Sequence, residues 1–321
     1  MTKATTDLLE EYCQKFRNWG KWGPDDQRGT ANYITPAIVL EAMKLPRTGQ
    51  VISMAMPYDT AGPQTGTFNR VNPIHQMLAT GTDHAAGNQV YAGQPFPRGF
   101  GYSDDTVMMP LQCGTQWDGL SHIFRNGKMW NGYAATEVTA AGAARNGIEQ
   151  LASSLVGRGV LLDIARFKKV EYLERGYGIT VDDLNGAAAA EGVEVREGDI
   201  VIVRTGEMGR CQREHNWGPY PGGDSPGMSF YTAPWLAEKR IAAIATDTWG
   251  VEMRPNELPN SFQPLHLVMV VNMGLLVGEI WSLEALGDAC AADGRYEFLF
   301  VGPPLPFTGA VGSPLNPLAI R

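Results

Sequence analysis

The chain has 321 residues, of which 44% are hydrophobic and 19% are charged, a balance typical of a soluble globular protein with a full core. Its 34 acidic and 26 basic residues give a net charge of −8, which argues against nucleic acid or an anionic membrane surface as a partner. The sequence contains no run of about 18 apolar residues, and residues 1–16 lack the apolar core of a signal peptide, so we expect a cytoplasmic protein without a membrane-spanning helix.

Residues 1–45 are predicted to form a helical N-terminal segment. Leu8 and Tyr12 recur at helical spacing, which indicates an amphipathic helix that packs on the surface or on a partner subunit. Thr35 and Pro36 then suit the N-cap and the first turn of a second helix.

A loop-rich insertion is predicted over residues 59–105, after a short alternating segment over residues 49–58 that is typical of a strand. The insertion is rich in glycine, proline, asparagine and threonine and contains few helical patterns. Structureless stretches of this length in a compact domain usually have a function, so we interpret it as the wall of a pocket or the cover of a subunit interface. Its two histidines, His75 and His84, are interpreted as loop or interface residues rather than ligands.

The segment from Gln112 to His122 carries the densest group of chemically useful side chains: two amides, a carboxylate and an imidazole. In a β-strand alternate side chains share a face, so Gln112, Gln116 and Asp118 point the same way. Trp117 then packs on the opposite face. In a helix the two glutamines would still align, but Asp118 would lie on the far side. A strand is therefore the better interpretation.

A bend is needed if both glutamines are to contact one ion. A straight strand would separate Gln112 from Gln116 by roughly 13 Å at about 3.3 Å per residue, which is too far for a shared ligand. Gly114 permits a bulge that brings both ends of the segment toward one point. Gly119 then turns the chain, and we expect this turn to return His122 to the same site.

This segment resembles the signature of the metal-dependent cyclase/hydrolase family that includes kynurenine formamidase and isatin hydrolase, which is written H-x-G-T-H-x-D-x-P-x-H. The positions that keep the family's residues are Gly114, Thr115, Asp118 and His122. Gln112 and Gln116 replace its two histidines, and Leu120 replaces its proline. This glutamine variant is similar to the branch of the family that contains trans-dienelactone hydrolase, and the resemblance covers most of the chain.

The resemblance also implies a fold and an assembly. The expected fold is a mixed α/β, swivelling β/β/α domain over residues 1–321, with a central mixed sheet flanked by helices. Members of the family assemble as dimers or tetramers, so a homodimer or homotetramer is expected. The chain itself alternates apolar runs with helical patterns, and buried strands are predicted over residues 159–166, 198–206 and 241–248.

The replacement of histidine by glutamine changes the expected metal chemistry. Neutral imidazole is a good ligand for zinc, whereas an amide oxygen is a harder and weaker donor. Exchanging both histidines should weaken metal binding and shift the preference toward manganese, magnesium or a loosely held zinc. The alternative is that Gln112 and Gln116 only form hydrogen bonds inside a core strand.

Two further candidates lie near the C-terminal end of the chain. His266 begins an apolar stretch that is predicted to be a buried helix ending at Gly274, and Glu279 ends the apolar strand that follows. Burying a carboxylate without a partner is costly, so an apolar strand that ends in glutamate points to a site. In the family the corresponding histidine and glutamate lie by the metal, which implies the same for His266 and Glu279.

Residues 211–231 are rich in aromatic residues and glycine, and they are interpreted either as a mobile lid over an apolar substrate or as an ordinary packed loop. The candidate substrate-binding aromatics are Trp117, Tyr133, Trp217, Tyr220 and Tyr231. An anionic ring substrate would need a basic residue nearby, for which the candidates are Arg125, Arg166 and Arg204.

The resemblance implies a metal-dependent hydrolase that opens a small cyclic ester, a lactone of the dienelactone type, by means of a divalent ion, zinc or manganese. In this hypothesis Asp118 is the charged metal ligand, and the neutral donors are Gln112, Gln116 and His266. The ion activates a water molecule, and either His122 or Glu279 transfers its proton. Two alternatives stay open: hydrolysis of an amide, imide or formamide, and a metal-free binding or scaffold protein that keeps the fold.

Overall fold

The computed structural model describes residues 2–321 of the chain, with side chains described from residue 8 onward. Nine α-helices lie within this part of the chain: α1 (Thr2–Lys15), α2 (Pro36–Ala42), α3 (Gly81–Ala85), α4 (Ile164–Phe167), α5 (Val181–Ala190), α6 (Glu207–Glu214), α7 (Ala233–Lys239), α8 (Pro264–His266) and α9 (Glu284–Asp293). Helix α8 continues directly into a π-helical segment over Leu267–Met273, which ends at Gly274 with a left-handed φ of 65°. Across residues 2–321, no helix combines the length and the apolar content that a membrane crossing requires.

Helix boundaries follow from caps that the sequence carries. The Thr35 side chain accepts a hydrogen bond from the first turn of α2, at the position predicted for an N-cap. Thr180 and Asp183 form a reciprocal capping box at the start of α5. In α1, the ring of Tyr12 stacks on Phe230 with ring centroids 5.1 Å apart, so this amphipathic helix packs on the body of its own chain.

Seventeen strands lie in the described part of the chain: β1 (Val51–Ser53), β2 (Ile74–Ala79), β3 (Val90–Tyr91), β4 (Gln94–Pro95), β5 (Asp104–Met108), β6 (Gln116–Asp118), β7 (Val138–Thr139), β8 (Gly142–Ala143), β9 (Val156–Asp163), β10 (Gly178–Ile179), β11 (Ile200–Arg204), β12 (Gly227–Met228), β13 (Ala243–Thr246), β14 (Leu276–Glu279), β15 (Glu297–Val301), β16 (Gly312–Pro314) and β17 (Leu318–Ile320). Nine of them form one sheet in the order β1-β17-β15-β9-β11-β13-β14-β6-β16. The remaining strands form two-stranded pairs.

Four parallel strands form the centre of the large sheet. Strands β9, β11, β13 and β14 pair in parallel, and helices lie between them along the chain. Both faces of a parallel sheet are covered, which explains why these strands are nearly continuous apolar runs, and β11 and β13 are buried at every position. Antiparallel strands extend the sheet on both sides. The predicted mixed α/β class is confirmed, and the predicted strands appear as β9, β11 and β13.

The segment before Asp118 differs from the predicted strand. Only Gln116–Asp118 is a strand (β6), and the four residues before it form a turn and bends. Gly114 packs against the ring of Tyr58, where an added Cβ would lie 2.8 Å from the ring carbon Cε1. The Tyr58 hydroxyl donates to the backbone carbonyl of Leu315, which follows the edge strand β16. This close packing fixes the turn against the sheet.

The predicted loop-rich insertion over residues 59–105 contains short helices and strands, but more than half of its residues lie in turns, bends and irregular segments. Strands β2 and β5 pair with each other as an antiparallel hairpin, and nearly every residue of both is exposed. We call residues 74–108, which contain this hairpin, the arm. The earlier part of the insertion contributes Phe68 and Arg70 to a cavity at the large sheet. His75 and His84 are exposed on the arm, and His75 forms an ion pair with Asp105.

Candidate metal centre

Two paired strands bring three polar side chains together. Strands β6 and β14 are antiparallel neighbours, with Gln116 opposite Glu279 and Asp118 opposite Val277. Directly opposite side chains share a face of the sheet, and Gln116 and Asp118 share one because they lie two residues apart. The exposed fractions of Gln116, Asp118 and Glu279 are only 0%, 2% and 4%. An amide and two carboxylates are therefore buried on one face.

His266, at the end of α8, joins this group. Its Nδ1 lies 2.6 Å from Oε1 of Glu252, and its Nε2 lies 3.2 Å from Oε1 of Glu279. The Glu252 carboxylate also accepts the backbone N–H groups of Leu265 at 3.1 Å and of His266 at 2.9 Å. Glu252 thus fixes both the backbone of α8 and the orientation of the imidazole. A carboxylate commonly holds a metal-binding histidine in this way.

The groups that can hold a cation converge on one point. One ligand atom from each of Asp118, His266 and Glu279 lies within 4.8 Å of the other two. The Gln116 Nε2 lies 3.2 Å from Asp118 Oδ1 and 3.0 Å from Glu279 Oε2, and its Oε1 has no hydrogen-bond partner among the described residues. A half-turn of this amide would direct its oxygen toward the same point. We call Gln116, Asp118, His266 and Glu279 the cluster.

Gln112 reaches the same face of the sheet from the preceding turn. Strand β16 pairs with β6 so that Gly312 is opposite Asp118. A Cβ on Gly312 would lie 2.5 Å from Nε2 of Gln112, so the absent side chain leaves the space that this amide fills. Opposite positions of a strand pair have Cβ atoms about 4.5–5.5 Å apart. Because the Gln112 amide fills the place of a side chain at Gly312, it lies beside Asp118. Its Nε2 is buried without a hydrogen-bond partner in the described part of the chain.

Burial and neighbouring charges shift the pKa values of the cluster. Burial raises the pKa of Asp118; the neighbouring His122 opposes this shift, and the negative charge of Glu279 adds to it. Burial alone would lower the pKa of His266, but its hydrogen bonds to Glu252 and Glu279 outweigh that effect and raise the pKa to about 10. The imidazole is thus held as a cation among buried carboxylates.

This donor set fits a divalent cation. Asp118, Glu252 and Glu279 are three buried carboxylates around one imidazole, and buried charges are normally paired or bound to metal. Carboxylate and amide oxygens with an imidazole nitrogen are ligands that suit manganese, magnesium and zinc. The amide oxygen of Gln116 is buried without a partner within the described residues, which is unusual unless a ligand satisfies it. The unpartnered atom of Gln112 is the donor Nε2, so its amide would have to turn over before its oxygen could contact a cation.

A small cavity of about 20 Å³ opens onto the cluster. Its lining residues are Phe68, Arg70, Asp118, His122, Ile123, Trp249, Gln263, His266 and Glu279. The side chain of His122 is 20% exposed, and its Nε2 lies 3.8 Å from Oδ1 of Asp118. The turn at Gly119 produces this position, because the Gly119 carbonyl accepts the His122 backbone N–H. His122 is therefore beside the cluster and open to the cavity, whereas Glu279 is part of the cluster.

The predicted substrate-binding role is wrong for three aromatic residues, because the structure places their side chains away from the cavity. These residues are Trp117, Tyr133 and Tyr231. Trp117 faces the opposite side of β6, where it packs on Trp281 with ring centroids 4.9 Å apart. The Tyr133 hydroxyl donates to a backbone carbonyl of the N-terminal segment, at Pro24. Tyr231 is 49% exposed and packs edge to face on Phe230, the ring that stacks on Tyr12 of α1.

Trp217 and Tyr220, from the predicted lid over residues 211–231, stand behind the cavity wall. Tyr220 is buried and donates its hydroxyl to the carbonyl of Asp247. It belongs, together with Trp249, to a small hydrophobic core. Trp217 packs on Tyr220 and donates its indole N–H to the carbonyl of Ala61. Neither side chain lines the cavity itself.

The three arginines considered for an anionic substrate are also occupied elsewhere. Arg204 is buried in ion pairs with Asp163 and Glu284, both at 2.8 Å. The other pairs join Arg125 to Glu10, and Arg166 to Asp163 and Asp288. The arginine that lines the cavity is Arg70, from the insertion.

The sequence interpretation missed Glu252 and the residues that form the cavity mouth. Glu252 is an acid next to the buried stretch that follows β13, and this is the same kind of signal that pointed to Glu279. Phe68, Arg70 and Trp249 lie in stretches without a helical or strand pattern, so no local signal marks them.

Comparisons with known proteins show which family and which solved structures the chain is similar to. A family model described as putative cyclase matches residues 52–253. A crystal structure described as a novel cyclase is 40% identical to the chain, with a TM-score of 0.85 over 96% of this chain and 99% of that one. Isatin hydrolase A from Labrenzia aggregata, solved with benzyl benzoate, is 18% identical, with a TM-score of 0.59 over 84% of this chain and 93% of that one. A structure described as a predicted metal-dependent hydrolase from Bacillus stearothermophilus is 18% identical, with a TM-score of 0.51 over 84% of this chain and 97% of that one. No curated protein sequence matches the chain.

Proposed function

The chain belongs to the putative cyclase family, and on this premise we propose that it is a metal-dependent hydrolase that opens a small cyclic ester, a lactone of the dienelactone type. The observation that carries the proposal is the convergence of Asp118, His266 and Glu279, whose ligand atoms lie within 4.8 Å of one another. The same fold occurs in proteins named as an isatin hydrolase and as a metal-dependent hydrolase, which agrees with the proposal.

The residues that would hold a divalent ion, zinc or manganese, are Asp118, His266 and Glu279, with Gln112 and Gln116 as neutral donors. When bound, such an ion polarises a carbonyl and lowers the pKa of a coordinated water. His122 faces the cavity beside Asp118, and in this proposal it takes the proton of the attacking water. The water oxygen bonds to the carbonyl carbon, the ring bond from that carbon to the leaving oxygen breaks, and His122 returns the proton to the leaving oxygen.

The two alternatives differ in how the buried charges are explained. An amide, imide or formamide hydrolase would use the same groups and protonate a nitrogen instead of an oxygen. A metal-free binding protein would have to keep three carboxylates, those of Asp118, Glu252 and Glu279, buried around one imidazole. Such a surplus of buried negative charge is costly, so the geometry favours a hydrolase that binds a metal.

A substrate panel with metal removal tests the proposal. Lactones, imides, cyclic amides and formamides are offered to the purified protein, to the chelated protein and to the protein reloaded with manganese or zinc. We expect lactone hydrolysis that chelation abolishes and metal restores. A preference for an imide or formamide would favour the first alternative. Absence of turnover from a protein that also binds no metal would contradict the proposal and favour the second.

We also propose that the protein acts as a homodimer or homotetramer in which the arm contacts a second copy of the chain. Nine large hydrophobic side chains of the arm are exposed, among them Leu78 at 69%, Tyr91 at 73% and Met108 at 66%. At about half exposure and roughly 150–200 Å² per side chain, their exposed surface adds up to on the order of 800 Å². Each partner in a stable complex buries about 800 Å², so the two areas are similar.

A second copy suits the arm because its hairpin has free edges. A two-stranded sheet is marginally stable alone, and β2 and β5 each pair only with the other within residues 2–321. The same hairpin of another copy can extend the sheet and cover its apolar side chains. Light scattering of the purified protein in solution should give the mass of a dimer or tetramer. A monomer for the wild type at micromolar concentration would contradict this assembly.

A further inference from the structure

We propose that Arg70 binds a carboxylate on a planar substrate whose ring lies against Phe68 and Phe262 at the mouth of the cavity. This inference rests on the proposed hydrolase function and adds the substrate class that the site selects. Arg70 lies in the insertion just before the arm and lines the cavity together with Asp118 and His266.

The Arg70 guanidinium is a cation with no acidic partner among residues 8–321. Among residues 8–321, no carboxylate forms an ion pair with it, and only its backbone groups form hydrogen bonds within the chain. Its positive charge nevertheless acts on the cluster, since it lowers the pKa of Asp118 against the effect of burial. Each of Arg125, Arg166 and Arg204, by contrast, is paired with an acid. Arg70 is therefore a basic residue at the cavity that is still available to a ligand.

Aromatic rings hold this guanidinium in position. It lies over the ring of Trp249, 5.1 Å from the centroid, and over the ring of Phe68, at 5.8 Å. Contacts of this kind use the faces of the guanidinium and leave its N–H donors free at the edge. Those donors form a planar fork that matches a carboxylate with two parallel hydrogen bonds. The arrangement presents a preformed carboxylate site next to the cluster.

The mouth also offers exposed aromatic surface. Phe68 and Phe262 are 58% and 50% exposed and contact each other edge to face, with centroids 5.9 Å apart. Phe68 also stacks on the buried ring of Trp249. Its φ of 55° lies in a region that few non-glycine residues adopt, and such strain clusters at ligand sites. The backbone is thus held so that an apolar ring stays exposed beside the cavity.

The size of the cavity decides how a ring compound can bind. A space of about 20 Å³ holds one ion or water molecule and excludes a ring. A cyclic substrate therefore lies at the mouth, against Phe68 and Phe262, and directs only its carbonyl toward Asp118. With the ring in that place, a carboxylate substituent reaches Arg70. The substrate class is a small planar ring that bears a carboxylate in addition to the bond that is opened.

Binding of benzoate and benzamide isolates the contribution of the charge, because the two compounds share a ring and differ in the anion. Calorimetry is performed on wild-type protein and on Arg70→Met, each in metal-free and manganese-loaded form. We expect Arg70→Met to weaken benzoate binding about tenfold to a hundredfold in both forms and to change benzamide binding less than about twofold. A loss seen only in the manganese-loaded form would assign the benzoate to the metal and overturn the proposal.

Arg254→Met is the matched control. The Arg254 guanidinium lies 5.1 Å from the centroid of Phe262, so it is a second arginine on the same aromatic surface, yet it does not line the cavity. Its removal should leave benzoate binding within about twofold of wild type. An equal loss in Arg254→Met and Arg70→Met would show only a general effect of positive charge and would overturn the assignment. Arg70→Lys keeps the charge without the fork and should fall between wild type and Arg70→Met.

Kinetics separate this inference from the proposed function. A lactone that bears a carboxylate is compared with its methyl ester, and Arg70→Met should lower kcat/KM about tenfold or more for the acid only. Equal losses for both compounds would contradict the role of Arg70 while leaving the hydrolase intact. If wild type opens neither compound, nor any member of the wider panel, the proposed function fails, and the benzoate measurement still decides whether Arg70 binds an anion.

Discussion

Replacing Glu252 with glutamine separates its role as the partner of a metal-binding imidazole from its role in the backbone of α8. In the wild type, Oε1 of Glu252 lies 2.6 Å from Nδ1 of His266, and Oε2 accepts the backbone N–H of Leu265 at 3.1 Å. Glutamine has nearly the same shape and keeps one acceptor oxygen. It removes the charge, however, and places an NH₂ group where one carboxylate oxygen accepted hydrogen bonds.

The contacts give the size of the two effects. A buried backbone N–H of Leu265 that faces a donor instead of an acceptor costs about 1–3 kcal/mol of the free energy of unfolding. Loss of a carboxylate behind a metal-bound histidine lowers metal affinity about tenfold to a hundredfold, which equals about 1.4–2.8 kcal/mol of binding free energy. Glu252→Gln should therefore reduce both stability and metal affinity.

The pH dependence sharpens the prediction, because Glu252 also raises the pKa of His266. That pKa is about 10, so near neutral pH a proton competes with a metal for this imidazole, and wild-type affinity should rise with pH. The variant has a lower His266 pKa and less competition from the proton. Its affinity deficit should consequently be smallest near about pH 6.5 and grow toward about pH 8.5.

Manganese titration by calorimetry and thermal unfolding measure the two effects on the same samples. Glu257→Gln is the matched control, because the Glu257 carboxylate accepts hydrogen bonds from Ser229 and Phe230 and is not part of the cluster. The control should lose stability without losing metal affinity. If Glu252→Gln kept wild-type manganese affinity across this pH range, Glu252 would have only a structural role.

Two further substitutions test individual members of the site. Gln116→His should tighten metal binding by about tenfold or more, since imidazole is a stronger donor than an amide oxygen; unchanged affinity in a metal titration would mean that Gln116 is not a ligand. His122→Gln should lower kcat about a hundredfold or more and leave metal affinity within about twofold, and a parallel loss of metal affinity would instead place His122 among the ligands.

Local patterns predicted the parts of the site that depend on local geometry. Alternation along a strand is sufficient to put Gln116 and Asp118 on one face, and the sheet register then adds Glu279. The same alternation puts Trp117 on the other face, so its assignment to the substrate conflicted with the pattern, and the structure agrees with the pattern. The bend before Gln116 was expected from Gly114, although packing against Tyr58, rather than a bulge within a strand, produces it.

Features that depend on distant contacts could not be predicted in this way. Arg70 reaches the cavity because Phe68 and Asn69 both adopt left-handed backbone conformations in the loop before it, and no periodic pattern indicates such a path. Arg204 ends the buried strand β11, but Asp163 and Glu284 neutralise it. Which arginine stays unpaired is a property of the whole fold, so sequence spacing gives no information about it.

The most direct test of the metal centre is the manganese or zinc content and affinity of wild-type protein beside Asp118→Asn, with circular dichroism to verify that both are folded. Wild type should bind at least one divalent ion per chain, and Asp118→Asn, which removes a charged ligand of nearly equal shape, should lose affinity by about a hundredfold or more. A folded wild-type protein that takes up no divalent ion, or an Asp118→Asn variant that binds it equally well, would contradict the proposed centre.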